Sequence, residues 1–359
     1  MPGYQLVDMG TRGEAAIRTA FTNQAAYCER NSAPITAKVC NAILAAVEGD
    51  KSNALLERIR GWAGAPLADA LPLRVAGGIH ALYLAGEASE LAPIYRGLPV
   101  NADPIVEEVM LVHEARLLPW LDSPPQTNEA GRSSNFIAAL LWLAGRGLPA
   151  QFECLEIGSS AGINLMIDRY DYDLGGVKVG PDAPAMAFKP GWKGNPPPDV
   201  PIGLLSLKGC DIAPVDLTDP AQALRLKAYI WPEHTIRFDR MEAAIAAAEQ
   251  SKPDVLKMDA AEFVEAELAK PQAAGTTRVL MHSIVWQYVP EDQQQRVIAA
   301  METAAGRATP DAPLAWIALE ANRTLHRHEL RVRYWPGGEE ETLLARAHAH
   351  GADIEWLAT

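Results

Sequence analysis

Apolar positions recur at helical spacing through the first part of the chain, and each recurrence turns one face of a helix toward a core. Ile17, Ala20, Phe21 and Cys28 repeat in this way between Gly13 and Arg30, and Ile35, Val39, Ile43 and Val47 fall every four residues. Ser32 and Pro34 supply start signals for the second helix, since a short hydroxyl side chain and a residue without an N–H both suit a helix N-terminus. Asp103 followed by Pro104 opens another helix through Val109, Val112 and Leu117, and Ser133 is expected to cap a short one ending near Gly145 and Gly147. The pattern predicts five or six helices and no strand over 1–148, a helical N-terminal domain or cap.

After Pro149 the period shortens. Phe152 to Ile157 form a short, mostly apolar run closed by a glycine-containing loop, the pattern of a buried strand. Further strands are expected at Leu204 to Lys208, Val255 to Met258, Arg278 to Ile284 and Pro313 to Glu320, with helices at Met241 to Glu249 and Asp292 to Ala304 between them. Strands alternating with helices predict a mostly parallel, doubly wound α/β sheet over 149–359. Near the end Leu330, Val332 and Tyr334 alternate with arginines, Pro336 to Gly338 turn the chain, and Ala352 to Leu357 reads as a closing strand, so an antiparallel addition ends the sheet. An insertion near 175–205 includes Lys189 to Pro201, whose prolines predict an irregular loop or lid.

Charge narrows the function classes. The 359 residues hold 32 Lys and Arg against 45 Asp and Glu, a net charge of −13. An acidic surface repels phosphate backbones and anionic lipid heads, so neither nucleic acid nor membrane is an expected partner. The first residues lack a basic region followed by an apolar run, and no stretch is long and apolar enough to span a bilayer, so a cytoplasmic protein is expected. Cys28, Cys40, Cys154 and Cys210 lie far apart without metal or disulfide spacing, and no His and carboxylate set has metal spacing, so no metal is expected.

The central signal is LEIGSSAGINL, residues 155–165: a strand, Glu156, then Gly158 and Gly162 around small residues, then a helix start. At the carboxyl edge of a parallel sheet such a unit binds ligands, and three ligand readings follow. The backbone can approach S-adenosylmethionine, with the Glu156 charge attracting its cationic end. Alternatively Gly158 to Gly162 spell Gly-x-Ser-x-Gly, a nucleophile elbow presenting Ser160, which needs a histidine from the tail (His326, His328, His348 or His350) and lacks the preceding strands of that hydrolase fold. A dinucleotide pyrophosphate ranks third, because Glu156 opposes it and Ser160 replaces the middle glycine.

On these residues the chain resembles the class I S-adenosylmethionine-dependent methyltransferases. The whole sequence is similar to a bacterial family of unknown function with that Rossmann-like fold behind a helical N-terminal region. Its marks are PPQTNEAGR at 124–132, LEIGSSAGINL, KGCDIAP at 208–214, YIWPEH at 229–234 and MHSIVWQYVP at 281–290. The resemblance implies a cofactor loop at Glu156, Gly158, Ser160 and Gly162, a ribose acid at Asp211 (with Asp171 and Asp173 as rivals), and an adenine site at Asp259 and Ala260. It also implies S-adenosylmethionine as cofactor and methyl transfer to a small molecule.

Methyl transfer is mostly positioning, plus a base where the acceptor is a hydroxyl or ammonium. His282 ends a strand and is the expected base, with Trp286 and Tyr288 as a wall or a stack on the sulfonium. Asn128, Glu129 and Arg132 form a polar loop suited to grip a substrate, Arg132 taking a carboxylate in bidentate fashion. His80 lies on an apolar helix and reads as structural, and Trp231 to His234 as loop packing. The alternatives to a methyltransferase are a serine hydrolase using Ser160 and a non-catalytic binding protein that retains the fold.

Overall fold

The computed structural model describes residues 10–322, 324, 325 and 327–358. In chain order its helices are α1 (Glu14–Arg30), α2 (Pro34–Glu48), α3 (Ala54–Arg60), α4 (Leu71–Leu84), α5 (Ala92–Tyr95), α6 (Asp103–Val112), α7 (Glu114–Leu117), α8 (Ser133–Gly145), α9 (Pro220–Ala228), α10 (Thr235–Gln250), α11 (Ala260–Leu268) and α12 (Glu291–Ala305). The strands are β1 (Gln151–Ile157), β2 (Tyr170–Leu174), β3 (Val177–Val179), β4 (Met186–Phe188), β5 (Gly191–Lys193), β6 (Gly203–Asp211), β7 (Asp254–Lys257), β8 (Thr277–Ser283), β9 (Leu314–Asn322), β10 (Arg327–Trp335), β11 (Gly338–Ala347) and β12 (Asp353–Trp356).

The chain divides into two compact units, one of residues 1–127 and 219–239, the other of 128–218 and 240–359. The boundary expected at 148 and 149 does not coincide with this division: α8 belongs with the sheet, and α9 returns to the helical unit. In the helical unit Phe21, Cys28, Val39, Cys40, Ile43 and Ile79 are all buried in one core. Glu233 closes the N-terminus of α2 by accepting the amides of Ile35 and Thr36 and the Thr36 hydroxyl at 2.9 Å. The Trp231 to His234 segment therefore acts inside this unit as a helix cap. His80 is equally structural, since its Nδ1 lies 3.0 Å from the Ala228 carbonyl and its ring stacks on Tyr95 at 4.9 Å.

The second unit is α/β. Nine strands form one mostly parallel sheet in the order β5-β12-β11-β10-β9-β8-β1-β6-β7, and β3-β2-β4 form a small separate sheet. β7, β6, β1, β8 and β9 run parallel, while β10 and β11 add as antiparallel hairpins. After β1 the chain moves to one side, through β6 and β7, and then to the other through β8 and β9, so the order reverses at β1. In open α/β sheets the crevice at such a reversal, outside the carboxyl ends of the strands, is where ligands bind.

Three local expectations change. The glycine loop leads into a kinked 3-10 stretch, Ile163–Arg169, in place of an α-helix, because the alternating Tyr170, Tyr172 and Leu174 begin burying a strand at once. Lys189 to Pro201 is not wholly irregular: Gly191–Lys193 pairs parallel with β12, and Trp192 stacks on Trp356 at 5.6 Å. Ser133 is the first residue of α8 and donates to the Ala130 carbonyl, without accepting a capping hydrogen bond.

Candidate functional site

The loop after β1 is shaped by its own neighbours. Gly158 (φ 67°) and Gly162 (φ 71°) are left-handed, and a Cβ at either would collide with protein, Val285 in the first case and Pro253 in the second. The glycines thus let the loop pack against the segments after β8 and before β7. Ser160, at φ 51°, adopts the same left-handed region without being glycine, a backbone cost that clusters at functional sites.

Asn128 clamps both ends of this loop, donating to the Ser159 carbonyl at 2.9 Å and accepting the Ile163 amide at 3.2 Å. Glu129 accepts the Gly131 amide and pairs with Arg240 at 3.1 Å, and Arg132 donates from Nε to the Ala349 carbonyl at 3.0 Å. All three are buried, so the residues expected to grip a substrate hold the backbone around the loop.

The acids after the parallel strands converge. In the pairing register Glu156 lies beside Gly209, Asp211 ends β6 opposite Lys257, and Asp259 follows β7 by two residues. Asp211 accepts the Ser160 amide at 2.9 Å and the Ala213 amide at 2.8 Å. Asp259 caps α11 by accepting the Glu262 amide at 2.9 Å, with Ala260 opening the helix. The rival ribose acids are elsewhere: Asp171 and Asp173 lie on β2 of the small sheet, where Asp173 pairs with Lys189 at 2.9 Å.

Glu156 is the most constrained group. It is 1% exposed, and burial pushes its carboxyl up to about 7, an effect that the Asn164 amide bond and the charge of Arg132 only partly oppose. Asn164 donates to Oε1 at 2.8 Å. Among the described residues Glu156 Oε2, Asn164 Oδ1 and the Ser160 hydroxyl, all buried, have no hydrogen-bond partner. Oε2 and Oδ1 are acceptors left without a donor, while the hydroxyl can donate or accept.

The same loop is poorly made for a diphosphate. The amides of Ser159, Ser160, Gly162 and Ile163 are already bonded, to the Cys210 carbonyl, Asp211, the Ser159 carbonyl and Asn128. An anion cradle needs those N–H groups free at the start of an α-helix, and neither condition holds.

His282 is not on this face. β1 and β8 run in register with Glu156 beside Met281, and side chains alternate along a strand, so Glu156 and His282 point to opposite faces of the sheet. His282 packs with Trp286 at 5.2 Å and Trp316 at 6.1 Å, on the side where Leu155 and Leu280 meet α11 and α12. Its Nδ1 lies 2.7 Å from Glu320 Oε1, a partner thirty-eight residues away on β9 that the pattern along one strand does not single out. Tyr288 is 73% exposed and joins neither group.

Residues 18–356 match a family described as uncharacterized protein conserved in bacteria (DUF2332). The chain belongs to that family. No curated protein and no solved structure matches it at a significant level.

The Ser160 hydroxyl has no partner, so no described histidine is hydrogen-bonded to it, and His326 lies outside the described residues. Among the described residues no group of three or more His, Cys, Asp or Glu is placed to hold a metal ion. No helix formed by them is long and apolar enough to cross a membrane.

Proposed function

We propose that this DUF2332 protein is an S-adenosylmethionine-dependent methyltransferase acting on a small molecule, with a class I methyltransferase-like arrangement of its parallel strands. The observation that carries the reading is the pair of buried acceptors without donors, Glu156 Oε2 and Asn164 Oδ1, on side chains joined at 2.8 Å beside the switch-point loop. An ammonium group brings three N–H donors and a positive charge, and so answers both the missing donors and the strained charge state of Glu156.

The residues present fit the rest of that cofactor. Asp211, with each oxygen accepting one amide, keeps lone pairs for the two ribose hydroxyls, and Asp259 and Ala260 lie at the end of the next strand for the adenine edge. The cofactor supplies the activated methyl group; the protein's part is to orient it and exclude water. Asn128 contributes by fixing the loop, and Arg132 by its charge near Glu156.

Calorimetric titration with S-adenosylhomocysteine tests the reading. Saturable one-to-one binding that weakens at least tenfold in Glu156→Gln is expected, and absence of binding to the wild-type protein removes the proposal.

A further inference from the structure

A second cleft lies on the sheet face opposite Glu156. β9 and β10 are joined as a hairpin, so no crossover helix follows β9, and the sheet beside α12 stays partly open. There a cavity of about 320 Å³ is lined by His282, Trp286, Ile298, Trp316 and Glu320, with Arg331 at its side. This is the lower end of the range for small-molecule pockets, room for one substituted ring.

Two polar atoms of its lining residues lack partners among the described residues: His282 Nε2, on a side chain 2% exposed, and Trp316 Nε1. Their complementary character is fixed by the neighbours. Glu320 Oε1 accepts the amides of Val285 and Trp286 at 3.1 and 3.2 Å and lies 2.7 Å from His282 Nδ1. An ionised carboxylate only accepts, so the ring proton resides on Nδ1 and Nε2 is left as an acceptor. The indole N–H of Trp316 only donates. The two rings line the same cleft, with their centroids 6.1 Å apart.

A hydroxyl is the group that donates and accepts at once. The walls suit a flat apolar body, since Trp286 stands at 69° to Trp316 with centroids 5.6 Å apart. Arg331 pairs with Glu329 at 2.8 Å and Glu341 at 2.7 Å, while Arg333 donates to the neutral Glu339 carbonyl and keeps its charge. An ionised ligand carboxylate only accepts, so it would leave His282 Nε2 without a donor beside Glu320.

We propose that this cleft is a binding site for a small neutral hydroxylated aromatic of the phenol class, its hydroxyl donating to His282 Nε2 and accepting from Trp316 Nε1. The site is independent of the cofactor loop and stands whether or not that loop binds S-adenosylmethionine.

The full-length protein is titrated with p-cresol, toluene, 4-methylanisole and p-toluate as probes, by calorimetry and by ligand-observed magnetic resonance. p-Cresol is expected to bind at least tenfold more tightly than toluene or 4-methylanisole, which cannot donate, and more tightly than p-toluate. In Trp316→Phe, which keeps a ring but removes the donor, and in Glu320→Gln, which releases the ring tautomer, the p-cresol to toluene ratio should fall at least fivefold. Because the ratio is internal to each protein, a general loss of stability does not imitate this result. Equal binding of p-cresol and toluene by the wild-type protein, tighter binding of p-toluate, or no binding of any probe overturns the assignment.

Discussion

Asp211 Oδ2 accepts the amide of Ser160 at 2.9 Å, so the carboxylate that ends β6 holds the backbone of the loop that follows β1. One side chain thereby joins two adjacent parallel strands at the point where the sheet order reverses. The left-handed backbone of Ser160 is kept in place by this bond and by the Asn128 clamp on its neighbours.

Asp211→Asn keeps the size of the side chain but removes its charge and replaces one acceptor by a donor. One of the two accepted amides loses its partner, and a hydrogen bond to a charged group contributes about 1.5–3 kcal/mol. Urea denaturation should show a loss of that order, and S-adenosylhomocysteine should bind at least tenfold more weakly. Unchanged affinity would remove Asp211 from the ribose site.

The buried Glu156 predicts an inverted pH dependence for the sheet unit. With its carboxyl pushed up to about 7, against 4.5 in an exposed chain, the folded state holds a proton that the unfolded state has released. Stability is complete below pH 4.5 and falls as pH rises through 7, by roughly 3 kcal/mol in total. Glu156→Gln should abolish this decline in denaturation curves taken between pH 5 and 8. Ligand affinity should run the other way in the wild-type protein, rising with pH through 7, because the ionised carboxylate is the form that attracts an ammonium.

His80 gives the helical unit the opposite slope. Burial lowers it from 6.5 to about 4, so the folded state resists a proton that the unfolded state accepts. Its contribution is fully present above pH 6.5 and is lost as pH falls toward 4, again roughly 3 kcal/mol. In His80→Asn, whose amide can still reach the Ala228 carbonyl, the acid-induced loss should flatten when unfolding is followed by hydrogen exchange of α4 peptides. A loss as steep as in the wild-type protein would show that another group governs the acid limb.

Ser160 should be unreactive. With no base among the described residues bonded to its hydroxyl, a fluorophosphonate probe is expected to label the wild-type protein no more than Ser160→Ala. Selective labelling abolished by that substitution would replace the methyltransferase reading with the hydrolase one.

Much of the sheet was legible because buried parallel strands are continuous apolar runs: Phe152 to Ile157 and Arg278 to Ile284 correspond to β1 and β8 with ends shifted by about one residue. Asp211 and Asp259 were singled out by the resemblance, and they stand at the end of β6 and two residues after β7. The Tyr170, Tyr172, Leu174 alternation was written in the chain but hidden by the expectation of a helix after the glycines. β5 was obscured by flanking prolines, and what makes it a strand is the distant edge of β12. Glu320 and the face of His282 depend on strand register, which single-strand periodicity does not fix. Asn128, Glu129 and Arg132 showed their position near the loop but not their task, because a side chain that grips a ligand and one that grips its own backbone have the same chemistry.

The most direct test of the central claim is hydrogen–deuterium exchange of the full-length protein with and without saturating S-adenosylhomocysteine. Protection should concentrate in peptides covering 156–164, 209–213 and 257–262, the ends of three adjacent parallel strands. Unchanged exchange in all three, or protection confined to the His282 and Trp316 cleft, would contradict it.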